Sequence, residues 1–120
     1  MTDLHTHSAC SDGVEPPAEV MRACARAGVD ACALTDHDTL AGLPEAQAAA
    51  RKLGLSFVPG VELSCETDRE VHILGYNIDE NNEALVAALH ALREERRERT
   101  AKMIGKLREL GADIAMEDVT

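Results

Sequence analysis

The sequence predicts an α/β fold of successive strand–helix units, with its chemistry gathered at the ends of the strands. Three observations support this. Short apolar runs alternate with segments whose apolar residues recur at the helical period. Proline and glycine punctuate those segments where helices start and stop, as in Glu15-Pro16-Pro17 and at Gly28, Gly54 and Gly111. Four of the five histidines fall at or near the end of an apolar run, where parallel α/β folds build their sites.

The elements follow in order. Strand one covers residues 2–5. Pro16-Pro17 opens a helix that runs to Ala27 and stops at Gly28, with Val20, Ala23, Cys24 and Ala27 on its apolar face. Strand two covers residues 31–34, and helix two residues 43–53, ending at Gly54. Strand three covers residues 56–63 and is expected to be interrupted by Pro59-Gly60. The polar turn Glu66-Thr67-Asp68-Arg69-Glu70 is too short for an α-crossover. Strand four, residues 71–76, is therefore expected to pair with strand three antiparallel or through a bulge. Residues 81–110 read as helix, with Gly105 as a weak point and Gly111 as the stop. Met116-Glu117-Asp118-Val119-Thr120 reads as the opening of another helix. No repeat or low-complexity linker divides the chain.

In Asp3-Leu4-His5-Thr6-His7-Ser8, His5 and His7 are two apart on a strand, so both imidazoles face one side and can share a metal ion. Ala9-Cys10-Ser11-Asp12-Gly13 adds a carboxylate just beyond. Thr35-Asp36-His37-Asp38 follows strand two, Pro59-Gly60-Val61-Glu62 closes the apolar run of strand three, and Val71-His72-Ile73-Leu74-Gly75-Tyr76 forms strand four. Taken singly, each has a structural explanation. Asp12-Gly13 fits a turn, Asp38 or Thr39 could cap helix two, Glu62 could be a solvated strand end, and His72 a satisfied core histidine. Their joint occurrence in one short chain points instead to a metal site.

The series Asp-Leu-His-Thr-His-Ser-x-x-Ser-Asp-Gly, Ala-Leu-Thr-Asp-His-Asp-Thr, Pro-Gly-Val-Glu-Leu-Ser and Val-His-Ile-Leu-Gly-Tyr resembles the PHP (polymerase and histidinol phosphatase) superfamily over residues 3–76. The resemblance is closest to the stand-alone phosphoesterases that act on nucleoside bisphosphates and on the 5′ ends of short RNA. It implies a distorted (β/α)₇ barrel, of which residues 1–120 are expected to be the N-terminal portion. Such proteins run further and supply another His and later an Asp-x-His pair. Nothing after His72 offers these, and His90 matches no motif. The implied ligands of two or three divalent ions are His5, His7, Asp12, His37, Glu62 and His72. In that pattern His5, His7 and Glu62 hold the first ion, Glu62 bridges to a second with His72, and Asp12 with His37 holds a third. Glu62 and Asp12 are the implied catalytic carboxylates, with Asp36 orienting an imidazole from behind. Mixed imidazole and carboxylate donors favour Mn²⁺, Fe²⁺ or Zn²⁺ over an all-oxygen Mg²⁺ site. The implied reaction is metal-assisted phosphoester hydrolysis of a nucleotide or short 5′-phosphorylated RNA. Two rival readings are histidinol phosphate as substrate and a non-catalytic metal-binding module of the kind attached to some DNA polymerases.

Composition narrows the partners. A net charge of −10 argues against broad binding to duplex DNA, which needs many phosphates neutralised. A small phosphorylated substrate remains open, because bound cations would supply the local positive field. No apolar run is long enough to span a membrane, and a cytoplasmic protein is expected. The four cysteines show no paired spacing. Cys24 and Cys32 read as buried small residues, whereas Cys10 and Cys65 lie beside the motifs. The run Arg93-Glu94-Glu95-Arg96-Arg97-Glu98-Arg99 reads mainly as a solvated helix face knit by i,i+3 and i,i+4 pairs. Its alternative is that one of these arginines projects toward the metal cluster to grip a phosphate. With one Phe and one Tyr, a base-stacking platform is not expected.

Overall fold

The computed structural model describes residues 1–66 and 68–119. Thr67 of the predicted turn and Thr120 of the predicted last helix lie outside the described residues. The elements run β1 (Thr2–Thr6), α1 (Pro17–Arg26), β2 (Ala31–Leu34), α2 (Leu43–Leu53), β3 (Ser56–Glu66), β4 (Glu70–Tyr76), α3 (Glu83–Glu109) and a 3₁₀ turn, Met116–Asp118. The strands form one sheet in the order β1-β2-β3-β4, with β1, β2 and the start of β3 parallel and β3–β4 an antiparallel pair. The sheet curls enough for Tyr76, at the end of β4, to donate its Oη to the Leu4 carbonyl of β1 at 2.7 Å. This is the α/β part-barrel that the family resemblance implies.

The core lies between the sheet and the pair α1–α2. Met21 and Cys24 of α1, Cys32 and Leu34 of β2, and Leu43, Ala46 and Ala50 of α2 are buried together. The buried stripe of α1 is Pro17, Met21 and Cys24. Ala23 and Ala27, placed on the apolar face by sequence, are exposed, because the larger Met21 claims the sheet-facing side. α2 spans the predicted residues and ends at Gly54, whose left-handed φ of 72° supplies the helix stop. α3 begins at Asn82, whose side chain accepts from Leu85 N, and passes through Gly105 unbroken.

The predicted interruption of β3 at Pro59-Gly60 does not occur. β3 pairs with β2 through Pro59 and with β4 from Gly60 onward, so the missing N–H of proline falls where the strand changes partner. Gly60 is needed there for space: a Cβ would lie 2.8 Å from Thr35 Cγ2 and 3.0 Å from the Gly75 carbonyl oxygen. That crossing point carries β3 onward past the end of β2 and delivers Glu62 to the site.

Candidate metal centre

β1 presents His5 and ends just before His7. Asp3 pairs with Cys32 but Thr6 with Leu34, so β1 carries an extra residue over this stretch, a bulge at Leu4–His5. The two rings still converge, with centroids 5.0 Å apart. His37 follows β2 and is tied to β3 by backbone bonds, Glu62 N to Asp36 O at 3.1 Å and Asp38 N to Glu62 O at 3.0 Å. His72 pairs with Ser64 across β3–β4 and so shares a face with Glu62, two residues away on β3. Glu62 and His72 therefore lie within strands rather than at strand carboxyl ends as expected. The reason is that β3 runs on beyond β2 and turns back as a hairpin.

Glu62 is the hub. Its carboxylate is 6% exposed, and Oε2 lies 2.9 Å from His5 Nε2, 2.9 Å from His7 Nε2 and 3.6 Å from His37 Nε2. Oε1 lies 3.1 Å from His72 Nδ1. Asp12 places one oxygen 3.4 Å from His7 Nδ1 and the other 3.3 Å from His37 Nε2. The ligand atoms form three overlapping triads, each within 4.8 Å: His5/His7/Glu62, His7/Asp12/His37 and His37/Glu62/His72. All six residues predicted from sequence are thus brought together. The triads differ from the expected partition in sharing His7 and His37.

These residues fit divalent ions. Among the described residues, the buried Nδ1 atoms of His7 and His37 find no hydrogen-bond partner, a costly state for a polar atom, since the Asp12 oxygen 3.4 Å from His7 Nδ1 makes no hydrogen bond to it. A carboxylate oxygen has about two acceptor positions, yet three imidazoles crowd Glu62 Oε2. Two ligands bonded at about 2.0–2.2 Å to one ion stand roughly 3–3.5 Å apart, close to the spacing seen here. Burial pushes the Glu62 carboxyl up, but the His5 hydrogen bond and the imidazoles of His37, His5 and His7 outweigh it and leave it below the usual range. His72 is raised, first by its contact with Glu70 and then, against some desolvation, by Glu62.

The loop carrying Asp12 is wound around Asp36. This carboxylate accepts from Ser8 N at 2.6 Å, Ser8 Oγ at 2.7 Å and Ser11 Oγ at 2.9 Å. The expected contact of Asp36 with an imidazole is replaced by these bonds, because the serines lie closer to it. Gly13 closes the loop against backbone: a Cβ there would meet His7 O at 2.7 Å and Ser8 C at 2.9 Å. Neither Asp38 nor Thr39 caps α2, whose N-cap is Gly42 without a side-chain bond. Asp38 is instead buried at a left-handed φ of 52°. It accepts from Ser64 N at 3.1 Å and from Arg96 Nη2 at 2.6 Å, while Arg93 Nη1 donates to its carbonyl at 2.7 Å. A cleft of about 1610 Å³ opens beside the cluster, lined by Asp12, His37 and His72 and, across from them, by α3.

The sequence pointed to the candidate ligands but missed what holds them. Ser8, Ser11, Asp38 and Tyr76 lie within the motifs, yet the sequence gave none of them a supporting part and offered Asp38 only as a helix cap. The buried Cys24 and Cys32 stand apart from the site, as expected, while Cys10 is exposed and in none of the triads.

A curled α/β sheet that gathers imidazoles and carboxylates into shared triads defines a metal-binding class of protein. The chain belongs to the PHP domain family, whose model matches residues 3–111. It is 49% identical over 111 residues to the 3′,5′-nucleoside bisphosphate phosphatase of Chromobacterium violaceum, covering 91% of this chain and 39% of that protein. It is 39% identical over 110 residues to the 5′-3′ exoribonuclease of Haemophilus influenzae, covering 91% of this chain and 40% of that one. Among solved structures, a candidate metal-dependent phosphoesterase of Bifidobacterium adolescentis superposes with a TM-score of 0.89 at 33% identity, over 98% of this chain and 41% of its own. The chain thus spans about 40% of the length of these two curated relatives. Among the described residues, no helix is long and apolar enough to cross a membrane.

Proposed function

We propose that residues 1–120 are the N-terminal portion of a PHP domain that hydrolyses phosphate esters of nucleotides or of short 5′-phosphorylated RNA with the help of divalent metal ions. One observation carries the reading: a buried carboxylate, Glu62, has imidazoles gathered on both its oxygens. The names of the bisphosphate phosphatase and exoribonuclease relatives support the substrate class.

A neutral imidazole has one lone-pair nitrogen, so His7 and His37 cannot each complete two triads. The arrangement that uses each once is His5, His7 and Glu62 for one ion and Glu62, His37 and His72 for another. Asp12 then completes either site or shares a third ion with ligands from elsewhere. Bound ions of this kind supply Lewis acidity and make a coordinated water acidic enough to serve as nucleophile near neutral pH. Glu62, held ionised by its imidazoles, offers one oxygen toward His5 and His7 and the other toward His72, and so would serve ions on both sides. Tyr76 pins the carbonyl of Leu4 beside His5, and Asp36 winds the loop that aims Asp12. Without a thiolate in the triads, Mn²⁺, Fe²⁺ or Zn²⁺ suits the donor set. Four free thiols suit a reducing cytoplasm.

The test is Glu62→Gln, which keeps shape but removes charge. Metal content by atomic emission should fall, and turnover of a panel of nucleoside bisphosphates, 5′-phosphorylated oligoribonucleotides and histidinol phosphate should drop by more than about a hundredfold, since even residues behind metal ligands cost 10–100-fold. Near-normal turnover would remove Glu62 from the site.

A further inference from the structure

β2 ends at Leu34, yet its bonding to β3 does not stop there. A parallel bridge joins His37 to Glu62 through the bonds from Glu62 N to Asp36 O and from Asp38 N to Glu62 O. A parallel ladder repeats evenly, so the next bond in this register would run from Ser64 N to the Asp38 carbonyl. Asp38 instead takes a left-handed φ of 52°, and the chain leaves the ladder. Its side chain fills the gap, with Oδ1 accepting from Ser64 N at 3.1 Å. The carboxylate thus stands in for the carbonyl, as short polar side chains can where backbone departs from a regular ladder.

Two acceptors of Asp38 are left over, its carbonyl and Oδ2. Arg93 Nη1 donates to the first at 2.7 Å and Arg96 Nη2 to the second at 2.6 Å. The expected solvated face knit by its own i,i+4 pairs is therefore not what Arg93 and Arg96 make, since both turn inward on one residue. Asp38 is 1% exposed, so its acceptors must be met from within the chain. Asn tolerates a positive φ as well as Asp does. Its single amide oxygen could not serve both Ser64 N and Arg96. A carboxylate is matched to the two donors.

We propose that Asp38 is a positioning residue: its side chain carries the β2–β3 ladder one bond beyond the His37–Glu62 bridge and so holds Glu62 against His37. This rests on the metal-centre reading and deepens it. The backbone of Glu62 is held by Asp36 and Asp38, the two neighbours of His37, and Asp38 Oδ1 holds it again two residues on. Glu62 Oε2 lies 3.6 Å from His37 Nε2 under this restraint. Without the Ser64 bond, the backbone of β3 beyond Glu62 would keep only its ladder to β4, and the hairpin could tilt away from His37.

The test compares two variants of the full chain that differ only in the acceptor offered to Ser64 N. Both carry Arg96→Met, which removes the competing donor, so neither buries an unpaired charge. Asp38→Asn in that background keeps an oxygen for Ser64 N. Asp38→Gly permits the same backbone conformation and offers none. Amide exchange followed by NMR on the metal-free chain should be about tenfold faster at Ser64 in the Gly variant than in the Asn variant, the effect of one lost hydrogen bond. Exchange over residues 31–34 should be alike in both. Titration with Mn²⁺ should show the Gly variant binding about 10- to 100-fold more weakly, the range for residues that orient ligands. Equal exchange at Ser64 would overturn the ladder bond. Unequal exchange with equal Mn²⁺ affinity would overturn its part in placing Glu62, and so would faster exchange spread through residues 31–34, which would mark a general loss of stability. A wild-type chain that takes up neither Mn²⁺ nor Zn²⁺ would instead remove the metal-centre reading, with exchange at Ser64 still deciding the bond.

Discussion

Replacing the Asp36 side chain tests how the site is held together, because its carboxylate bonds to the Ser8–Ser11 loop and, among the described residues, to no triad side chain. Its buried carboxylate accepts three bonds from Ser8 and Ser11, and Ser8 is fully buried. Asp36→Ala strands the Ser8 N–H, removes the acceptor of Ser8 Oγ and leaves Ser11 Oγ only its longer bond to Asp12. At about 1–3 kcal/mol for each buried group left unpaired, the loss should be roughly 2–5 kcal/mol. Asp36→Asn should cost less, roughly 1–2 kcal/mol, for a reason visible in the geometry. The amide oxygen can take the place of Oδ1, accepting from Ser8 N and Ser11 Oγ. The amide nitrogen then faces Ser8 Oγ, which can turn its hydrogen away and accept instead, while still accepting from Cys10 N.

The same logic sets the effect on metal. Asp12 is held opposite His7 and His37 by the loop that Asp36 winds, so both variants should weaken the ion that depends on Asp12 before the ions on Glu62. Urea unfolding of the metal-free protein gives the stability order, and titration with Mn²⁺ or Zn²⁺ gives the affinities. The expected order is wild type, then Asn, then Ala in stability, with metal affinity lowered about 10–100-fold, as for other residues that orient ligands. An Asn variant less stable than the Ala variant would refute the bonding argument. Unchanged metal titration in both would refute the link from Asp36 to Asp12.

Three further outcomes follow. Gly13→Ala should destabilise by about 1–3 kcal/mol in urea unfolding, because the new Cβ would press on His7 and Ser8 backbone that cannot swing away; an unchanged midpoint would show the loop is looser than it stands here. Burial pushes the Cys32 thiol from its ordinary 9.0 up to about 12, helped by Cys24 and Asp3, so at pH 8 the native protein should alkylate at exposed Cys10 while Cys32 stays unmodified. A raised thiol pKa favours the fold below the ordinary value and ceases to do so as pH climbs toward 12, so stability should decline above about pH 9; rapid native-state labelling of Cys32 would contradict this. Finally, Met103 and Leu107, one turn apart on α3, and Leu110 at its C-cap are 52%, 42% and 85% exposed, so the 120-residue chain by itself should associate with rising concentration in light scattering; a strict monomer throughout would count against it.

The candidate ligands stood out in the sequence because imidazole and carboxylate donors are chosen by chemistry and their placement by local geometry. Two imidazoles two residues apart on a strand must share a face, and His37 and Glu62 each follow an apolar run. The end of α2 was legible for a similar local reason, since Gly54 marks its stop. What failed were inferences that depend on a partner distant in sequence. Pro59 breaks a strand only if its N–H is needed, and here β3 changes neighbours at that residue. Ala23 and Ala27 matched the helical period, but Met21 outcompetes them for the sheet by size. Asp38 offers the plainest case. As an isolated Asp before a helix it reads as a cap, and only its bonds to Ser64, Arg93 and Arg96, up to 58 residues away, give it another part. Any acceptor of the right reach could serve there, so residue type alone carries little information about such a support. The arginines follow the same rule: their alternation with glutamate suggests mutual pairing, and it takes the placement of a buried carboxylate after His37 to turn two of them toward the cleft instead.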